Sequence, residues 1–380
     1  MPRLDQLCNI QYGYAFNADL FTTKSSQGVP PVRIRVVVRG YTETYRPESF
    51  SEAYRVHDGD ILIGMDGEFN VARWHGGDAA LNQRVCKITP RNNIHSQYLF
   101  YFLPQALKRI EDQTPFVTVK HLSAKKLSAI EVPDISMMEQ ANIAERLDII
   151  TTLLANRRQV DEKLAELPKA RFVEMFGDPV VNPMGWEKHR LDELGTCKNG
   201  MNFHNGDSGV ELHCLGVGDF KNHSVITDCQ ILPKVSLNQI PSQDYLLKDD
   251  DIVFVRSNGN KDLVGRCLAV YPKNTPTTFS GFCIRFRADE RSPITTEYLL
   301  SVLKTSGIRS MMAGRGANIQ NLNQKMLSAL PIPLPPLDLQ RRFAAFARAC
   351  AAQRAACARQ IAVLETLRGK LLQDAFGAAG

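Results

Sequence analysis

The sequence predicts a mixed α/β (α+β) fold in which one unit, a globular domain followed by a long helix, occurs twice in tandem. Two observations support this prediction. Residues of the second half repeat residues of the first half in the same order. Each half also begins with short apolar runs separated by turns and ends with a long stretch that contains few helix breakers, which is the pattern of strands followed by a long helix. We therefore expect pseudo-twofold internal symmetry.

The repeat has a constant spacing in the back part of each half and a variable spacing in the front part. The spacing is 187 residues at Leu4, 191 at Asp60 and 197 at Cys86, which is matched with Cys283. Insertions therefore lie in the front part. From Tyr98 onward the spacing is 200 residues, and the matched pairs include Tyr98 with Tyr298, Leu127 with Leu327, Gln140 with Gln340, and Phe176 with Phe376.

The front part of each half is predicted to form strands and then a helix. Apolar runs of strand length, bounded by turn residues, indicate the strands, and a longer amphipathic run indicates the helix. We expect a curved mixed sheet in each domain. The predicted strands are 32–38, 60–64 and 85–88 in the first half and 212–217, 252–255 and 282–286 in the second, and the helices are 97–111 and 296–312.

The back parts are predicted to be long helices with coiled-coil-like apolar stripes. At 1.5 Å per residue, a helix of about 40 residues extends roughly 60 Å, more than the packing of one domain requires. The other helix is therefore the expected partner of each stripe. Pro168 predicts a kink or a restart near Leu167, because an interior proline removes a hydrogen bond. The predicted packing residues are Ile143, Leu147, Ile150, Leu154, Leu164, Leu167, Phe343, Phe346, Cys350, Cys357, Leu364 and Leu367.

Composition limits the class of protein. With 380 residues, of which 44% are hydrophobic, the chain is long enough for two or three domains. Its nine cysteines contain no C-x-x-C pair, so we expect neither a zinc ribbon nor a disulfide framework but a reduced, cytoplasmic protein. No signal pattern and no run of about 18 apolar residues is present, so we expect no membrane segment. The net charge of +6 permits an anionic partner.

Sequence motifs of several enzyme classes are missing. The string nearest to an amino-methyltransferase tetrapeptide, at 182–185, lacks the second proline and the aromatic residue. Gly369-Lys370 is followed by leucine and does not complete a phosphate loop. Neither H-E-x-x-H nor G-x-S-x-G occurs, and the histidines lack metal-ligand spacing. We therefore expect no methyltransferase, ATPase or nuclease activity in this chain.

The order domain, helix, domain, helix, with a proline-rich entry to each helix, resembles the specificity (S) subunit of type I restriction-modification systems, the HsdS family. The segments that carry the resemblance are 59–62, 81–83, 127–144, 250–253 and 327–340. The resemblance covers essentially the whole chain. It implies target-recognition domains at 1–135 and 178–336 and spacer helices at 136–177 and 337–380, with the helices paired as an antiparallel coiled coil.

The resemblance also implies a function. Each domain would read one half of a bipartite, non-palindromic site in double-stranded DNA, and the helices would fix the separation and dock two methyltransferase subunits. S-adenosylmethionine, ATP and Mg²⁺ are then expected only in the methyltransferase and restriction subunits, with no cofactor or metal here. Two alternatives stay open from the residues alone: a stand-alone DNA-binding regulator, and an enzyme that uses Asp250, Asp251 and Lys261.

Several groups of residues are candidates for DNA contact. Over residues 32–39, a two-residue strand period places Arg33, Arg35 and Arg39 on one face, opposite Ile34 and Val36. A cationic face can meet phosphates or guanine edges, although a solvated strand face is an equal alternative.

The turns after the Asp-Ile strands form a second group of candidates. They differ between the halves, and amide and guanidinium side chains at a glycine-containing turn suit base edges in the major groove. A polar turn without a ligand is the alternative. The candidates are Asn70 and Arg73 in the first half and Arg256, Ser257, Asn258, Asn260 and Lys261 in the second.

The remaining candidates come from other loops. A Gly-x-x-Phe segment recurs at 13–16 and 200–203, and its repetition favours a shared structural turn. The loops at 115–121 and 314–321 offer groups that could hold phosphate, or they only cap a helix. His213 lies in the second-half strand that aligns with the arginine strand. The candidates from these segments are Tyr14, Lys120, Asn202, His204, His213, Arg315 and Asn318.

Overall fold

The structure is a computed structural model. It describes residues 1–46, 49–113, 120–203, 206, 208–221, 223–313 and 321–377, without the side chains of residues 27, 261 and 313. The chain forms two compact units: unit 1 contains Met1–Arg158 and Arg359–Gly380, and unit 2 contains Gln159–Ala358. Each unit thus holds one globular domain and parts of both long helices.

The strands of unit 1 are β1 Cys8–Tyr12, β2 Pro31–Val32, β3 Arg55–Val56, β4 Ile61–Gly64, β5 Val71–Arg73, β6 Ala79–Leu81 and β7 Val85–Pro90. They form a four-stranded antiparallel sheet in the order β1-β7-β4-β5 and a small mixed sheet in the order β2-β6-β3. The helices of unit 1 are α1 Leu4–Leu7, α2 Ile34–Arg39, α3 Ser96–Asp112 and α4 Ala124–Ser128, followed by the long helix α5 Met137–Phe176, whose second half belongs to unit 2.

Unit 2 repeats this plan with additional strands. The strands are β8 Lys188–Arg190, β9 Gly195–Asn199, β10 Val210–Leu215, β11 Val225–Ile226, β12 Lys234–Leu237, β13 Asp251–Val255, β14 Cys267–Val270, β15 Thr277–Phe279, β16 Cys283–Ala288 and β17 Pro331–Pro333. They form sheets in the orders β11-β14-β13-β16-β9, β12-β10-β15 and β17-β8. The helices are α6 Thr296–Lys304, α7 Ser306–Ala313, α8 Gln324–Ser328 and the long helix α9 Leu337–Phe376, whose last part belongs to unit 1.

The two domains share one strand order, and their registers correct one part of the sequence alignment. In unit 1 Tyr12 of β1 pairs with Cys86 of β7, and in unit 2 Asn199 of β9 pairs with Ile284 of β16. Cys86 is therefore equivalent to Ile284 and not to Cys283, so the spacing there is 198 residues and not 197. A one-residue shift matters because it moves every side chain of a strand to the opposite face.

The prediction of a strand at 32–38 is wrong. The strand covers only Pro31–Val32, and Ile34–Arg39 is a helix. Val36 and Val37 are buried, and Gly40 ends the helix at φ +74°, donating its N–H to the Val36 carbonyl. A left-handed glycine is a common helix stop. Burial of the two valines outweighs the preference of β-branched residues for strands, because such propensities are weak beside tertiary packing.

The single helix predicted at 296–312 is two helices. Thr305, between α6 and α7, is extended at φ −65° and ψ 147°. Its N–H and its hydroxyl both donate to the Val302 carbonyl, and its own carbonyl accepts the Arg309 N–H. Thr305 therefore closes the first helix and opens the second, which points Arg309 into a surface described below.

Both long helices contain 40 residues and contribute to the cores of the units. In unit 1, Leu147, Ile150 and Leu154 of α5 are buried in one cluster with Leu371 and Phe376 of α9. Phe343, Cys350 and Cys357 are also buried, whereas Ile143, Leu164, Phe346 and Leu364 are half-buried. The packing prediction fails for Leu167 and Leu367, which are 45% and 47% exposed. Pairing of the helices as a coiled coil stays a prediction.

The helix α5 continues through Pro168 without the predicted restart. The kink stays a prediction. A proline in a helix interior lacks the N–H that would bond one turn back, yet residues on both sides of Pro168 keep helical geometry. Phe172 and Phe176, which follow it, are buried in the core of unit 2. Their burial favours continuation of the helix.

A buried glutamine near the start of each long helix ties that helix to its domain. The side-chain oxygen of Gln140 accepts the His95 backbone N–H at 2.8 Å, and the side-chain NH₂ group of Gln140 donates to the Ile135 backbone carbonyl at 3.0 Å. The side-chain oxygen of Gln340 accepts the Thr295 backbone N–H at 2.9 Å in the same way. The matched pair therefore reflects one repeated structural connection.

The ends of the long helices are held by aromatic contacts that also repeat. In unit 1 the Phe376 ring lies 5.2 Å from the Tyr98 ring. In unit 2 the Phe176 ring lies 4.8 Å from the Tyr298 ring. Burial raises the pKa of Tyr98 to about 12. Each domain helix thus receives the last turn of a long helix, and this explains why the tyrosine and phenylalanine recur at one spacing.

Candidate nucleic-acid interface

In unit 1 several loop segments meet at the end of the central strand β4. The Met65 N–H donates to the Arg84 carbonyl at 2.9 Å, and the Leu122 N–H donates to the Met65 carbonyl at 2.7 Å. The Gln83 N–H donates to the Tyr14 carbonyl at 2.9 Å. We call residues 13–14, 65–67, 82–84 and 120–122 turn cluster 1. Its backbone is fixed by hydrogen bonds between segments that are distant in sequence.

The same connections recur in unit 2 at the end of β13. The Arg256 N–H donates to the Phe282 carbonyl at 2.8 Å, and the Leu322 N–H donates to the Arg256 carbonyl at 2.8 Å. The Gly281 N–H donates to the Met201 carbonyl at 2.6 Å. We call residues 200–202, 256–258, 280–282 and 321–322 turn cluster 2. The two clusters are therefore equivalent in backbone and differ in side chains.

Glycines at the start of each cluster have a structural role, as the sequence predicted for this repeated turn. A Cβ atom on Gly13 would lie 1.9 Å from the Asn82 carbonyl oxygen. A Cβ atom on Gly200 would lie 2.1 Å from the Ser280 carbonyl oxygen. Only glycine allows the chain to approach the neighbouring turn this closely.

Turn cluster 1 presents an aromatic ring and a charged network. Tyr14 is 52% exposed, and its ring lies 5.2 Å from that of Tyr54. His121 Nδ1 lies 2.5 Å from the Asp66 carboxylate, and the Arg84 guanidinium lies 3.5 Å from the same carboxylate. The Arg84 side chain is nevertheless 54% exposed. The cluster thus offers a stacking surface beside a guanidinium group.

Turn cluster 2 presents amides, a guanidinium group and an exposed ring. Arg256 and Asn258 are half-buried, and Phe282 is 60% exposed. The side-chain oxygen of Asn258 accepts the Asn260 backbone N–H at 2.7 Å, and the side-chain oxygen of Asn260 accepts the Asp262 backbone N–H at 3.0 Å. The side-chain oxygens therefore shape the turn, and their NH₂ groups are the donors left for a ligand.

The structure brings some predicted residues together and separates others from the clusters. Asn202 is exposed, and its side chain lies next to Gly281. Asn70 is half-buried, just beyond turn cluster 1. Ser257 is half-buried and forms a bridge to Asn321. His204, Arg315, Asn318 and the Lys261 side chain lie outside the described residues.

Three predicted candidates are engaged within their own domain. Arg73 donates to the Gly59 carbonyl at 2.7 Å and to the Gln97 side chain at 2.8 Å. His213 Nδ1 lies 2.9 Å from the Leu232 carbonyl oxygen. The Lys120 ammonium lies 3.5 Å from the Glu111 carboxylate, with the lysine side chain 18% exposed. These contacts favour structural roles.

The predicted arginine face does not exist as a strand face, because Arg35 and Arg39 lie on the short helix α2. Arg33 is the residue that precedes this helix, and its guanidinium carbon lies 4.6 Å from the centre of the Phe21 ring. All three arginines are exposed. They remain cationic surface groups of unit 1, but in another geometry from the one predicted.

Arg84 and Phe282 were missed by the sequence reasoning. They are equivalent at the 198-residue spacing: Arg84 directly precedes β7, and Phe282 directly precedes β16. The sequence carries no signal for them, because the positive φ of Arg84 (+68°) and the exposure of Phe282 are seen only in the structure. The one-residue error in the alignment hid their equivalence.

A buried arginine lies beside turn cluster 1. The Arg46 guanidinium carbon is 4.0 Å from the centre of the Phe16 ring and 4.9 Å from that of Phe50. Arg46 is 5% exposed, and burial lowers the pKa of its guanidinium group. Stacking between aromatic rings stabilises such a cation, so Arg46 braces the rings that support Tyr14.

The two carboxylates of the enzyme alternative have partners within their own domain. The Asp251 carboxylate is buried and accepts two hydrogen bonds from Arg287, at 2.7 and 2.8 Å. Asp250 accepts the Thr296 hydroxyl at 2.7 Å. These carboxylates lie at one end of β13, and Lys261 follows its other end. In the described part of the chain no group of His, Cys, Asp or Glu is placed to hold a metal ion.

Comparison with known proteins identifies the family. The family model for the type I restriction modification DNA specificity domain matches residues 1–166 and 183–349. The chain is 40% identical over 167 residues to the specificity subunit of the type I restriction enzyme EcoBI from Escherichia coli, covering 44% of this chain and 34% of that protein. It is 28% identical over 279 residues to the StySPI specificity subunit from Salmonella potsdam, covering 67% of this chain and 58% of that protein. The chain thus spans between a third and three fifths of these relatives.

Solved structures show the same fold. The type I restriction-modification S subunit from M. genitalium superposes with a TM-score of 0.61 at 16% identity, over 99% of this chain and 95% of that one. A chain from a structure on complex assembly and conformational transition of the type I R-M system gives a TM-score of 0.59 at 16% identity, over 99% and 96%. Among the described residues, no helix has the length and apolarity of a membrane span. The predicted class, two tandem mixed α/β domains each followed by a long helix, is confirmed, and the chain belongs to the type I restriction modification DNA specificity family.

Proposed function

We propose that this chain is the non-catalytic DNA-recognition subunit of a type I restriction-modification complex. Each domain reads one half of a bipartite, non-palindromic site through its turn cluster. The long helices set the separation of the two halves. The chain directs methyltransferase subunits, which modify adenine, and restriction subunits to that site in the cytoplasm.

The observation that carries this proposal is the contrast between backbone and side chains in the turn clusters. Met65 and Arg256 make matching backbone hydrogen bonds to equivalent partners. Yet Tyr14, Asp66 and Arg84 stand where unit 2 has Met201, Ser257 and Phe282. Two readers with one scaffold and different contact groups recognise two different sequences. This is what a non-palindromic site requires.

The chemistry of turn cluster 2 fits base recognition. Arginine and asparagine can each form paired hydrogen bonds with a base edge in the major groove, arginine with guanine and asparagine with adenine. Arg256 is held by its backbone, while its guanidinium makes one long contact of 3.4 Å to the Gly281 carbonyl. Its remaining donors are directed by a fixed turn. We assign base contact to Arg256, Asn258 and Asn260, with Tyr14, Asn70 and Arg84 as the corresponding groups of unit 1.

The proposed partners supply the chemistry that this chain lacks. The curated relatives are themselves specificity subunits. S-adenosylmethionine, ATP and Mg²⁺ are accordingly assigned to the methyltransferase and restriction subunits. A surface for such a partner lies along α5 in unit 1, where Ile149 is 53% exposed and Leu153 41% exposed beside a groove of about 550 Å³. Exposed apolar groups on a helix favour protein docking.

The test is to co-express the full chain with a type I methyltransferase subunit from the same genome and to read modified adenines by single-molecule sequencing. We expect a split motif that depends on this chain. Asn258→Ala is expected to relax one half of the motif and Arg84→Gln the other. A paired base contact contributes about 1–3 kcal/mol, so methylation of the affected half should lose roughly 5-fold to 150-fold in selectivity.

The matched control is Lys273→Gln, an exposed residue at the opposite end of the β13–β14 hairpin from turn cluster 2. It should leave both halves of the motif unchanged. A stand-alone regulator would instead bind its site tightly and produce no modification with any partner. Absence of a split motif under co-expression would contradict the proposal.

A further inference from the structure

A polar depression in unit 2 is surrounded by cationic side chains. It has a volume of about 330 Å³, and its lining includes Lys221, Arg266, Lys304 and Arg309. No Asp or Glu is among the described residues that line it. Such a concentration of one sign of charge creates a strong local positive potential.

Separate elements bring these four cations together. Lys221 ends the 3₁₀ turn Val217–Lys221, and Arg266 precedes β14. Lys304 ends α6 and Arg309 lies on α7, so the break between these helices is what turns both side chains toward one depression. The surface is therefore a product of the fold and not of a run of basic sequence.

The two arginines are positioned by the turn that follows turn cluster 2. Arg266 Nε donates to the Asp262 carbonyl at 3.1 Å, and Arg309 Nη2 donates to the same carbonyl at 3.3 Å. Each guanidinium keeps further N–H donors for a ligand, because arginine has five. The depression is thus directly connected to the proposed base-reading turn.

The four cations have no counter-charge in the described part of the chain: none of them lies within 4.0 Å of a described carboxylate, in contrast to Arg287, which pairs with Asp251. Lys304 is exposed over part of its surface, yet the protein around its ammonium group displaces water and lowers its pKa, with a smaller contribution from Lys169. An anion bound in this depression would supply the counter-charge that the described residues do not provide.

We infer that this depression binds a phosphate group of the DNA backbone next to the half-site read by unit 2. The inference rests on the proposed function. Arginine and lysine are the usual phosphate ligands in protein–DNA interfaces, where such contacts fix the position of the protein on the duplex. The polar lining and the adjacent reading turn favour a phosphodiester over an apolar protein surface.

Among the described residues of unit 1, two positions equivalent to these cations differ. The position equivalent to Lys304 is Pro104, inside α3. Arg109, equivalent to Arg309, donates instead to the Phe376 carbonyl at the end of α9. The described residues of unit 1 therefore do not reproduce this set of cations, and DNA binding by the two halves should differ in salt dependence.

The test compares the wild-type complex with the double variant Lys221→Gln/Lys304→Gln, because these lysines do not hold the Asp262 turn. Affinity for a duplex that carries the methylated motif is measured by fluorescence anisotropy between 50 and 300 mM salt. Each lost phosphate contact lowers the slope of log K against log salt by about 0.9. Loss of one or two contacts should weaken binding about 10-fold to 60-fold at 0.1 M salt and lower the slope by about 0.9 to 1.8.

The matched control is Lys248→Gln/Lys273→Gln, which removes the same charge at the other end of the β13–β14 hairpin. It should change the slope by much less. Lys304→Arg should retain binding, and thermal unfolding should be alike for all variants, so that a folding defect is recognised.

The outcomes separate this inference from the proposed function. If the wild-type complex neither binds nor methylates a split site, the proposed function fails. If it does, and Lys221→Gln/Lys304→Gln keeps its affinity and slope, the phosphate site is wrong and the function stands. The double variant could instead lose stabilisation by inorganic phosphate, or lose association with the methyltransferase subunit, while its DNA affinity stays unchanged. Either result would overturn the assignment of the site to DNA.

Discussion

The end of α9 should be a major source of stability for unit 1, and Phe376→Ala tests this. The ring is 1% exposed and lies 5.2 and 5.6 Å from the rings of Tyr98 and Phe102. Replacing a buried phenylalanine by alanine costs about 3–5 kcal/mol. The Phe376 carbonyl, which accepts from Arg109, is retained in the variant. The loss therefore measures ring packing.

The chain provides its own reporters for this measurement. It contains two tryptophans, of which Trp74 is buried in unit 1 and Trp186 belongs to unit 2. In a Trp186→Phe background, tryptophan fluorescence during urea unfolding follows unit 1. With a urea slope of about 2 kcal/mol per M, Phe376→Ala should lower the midpoint by roughly 2 M. Phe176→Ala should do the same to unit 2 in a Trp74→Phe background.

Val363→Ala is the control, because this residue of α9 is 66% exposed; its effect should stay within about 0.5 kcal/mol. A change of less than about 1 kcal/mol for Phe376→Ala would refute the reasoning. So would an equal loss from Val363→Ala, since the loss at Phe376 could then not be assigned to the contact with Tyr98.

Two further predictions concern the interface and the partner. Gly13→Ala should weaken reading of one half-site, because the new Cβ atom would lie 1.9 Å from the Asn82 carbonyl oxygen. Gly64→Ala is the control and should be tolerated, because its Cβ atom would meet its nearest neighbouring atom at 3.5 Å. Motif sequencing with the two variants checks this. Ile149→Glu should reduce co-purification of the methyltransferase subunit at least tenfold without changing the unfolding midpoint, because the side chain is already exposed. Unchanged co-purification would remove α5 from the partner surface.

The long helices could be predicted from sequence because their signal is local and long. Strand β4 and helix α3 also follow from short-range apolar patterns. The segment at 32–38 could not, since its valines suit a strand and only burial of Val36 and Val37 together with Gly40 decides for a helix. The break at Thr305 had the same cause: its hydrogen bonds favour two helices where the apolar period continues.

The location of the candidate site could be predicted from sequence, but which residues belong to it could not. The turns after the Asp-Ile strands were found because they diverge within a repeat. Arg73 could not be excluded from sequence, since its partners Gly59 and Gln97 are brought to it by the fold. Phe282 could not be included, because apolar residues before a strand are usually buried. Contacts between distant segments decide both cases.

The constant 200-residue spacing has a physical explanation in these contacts. Tyr98 packs on Phe376 in unit 1 and Tyr298 packs on Phe176 in unit 2, while Gln140 and Gln340 join each long helix to its domain. One inserted residue in a helix turns everything beyond it by about 100° and moves it 1.5 Å, so it would break these connections. The front parts carry no such constraint, because their loops end in turns where an insertion changes the reading surface and leaves the anchors intact. Length is therefore fixed where the helices bind the domains and free where the proposed DNA contacts vary.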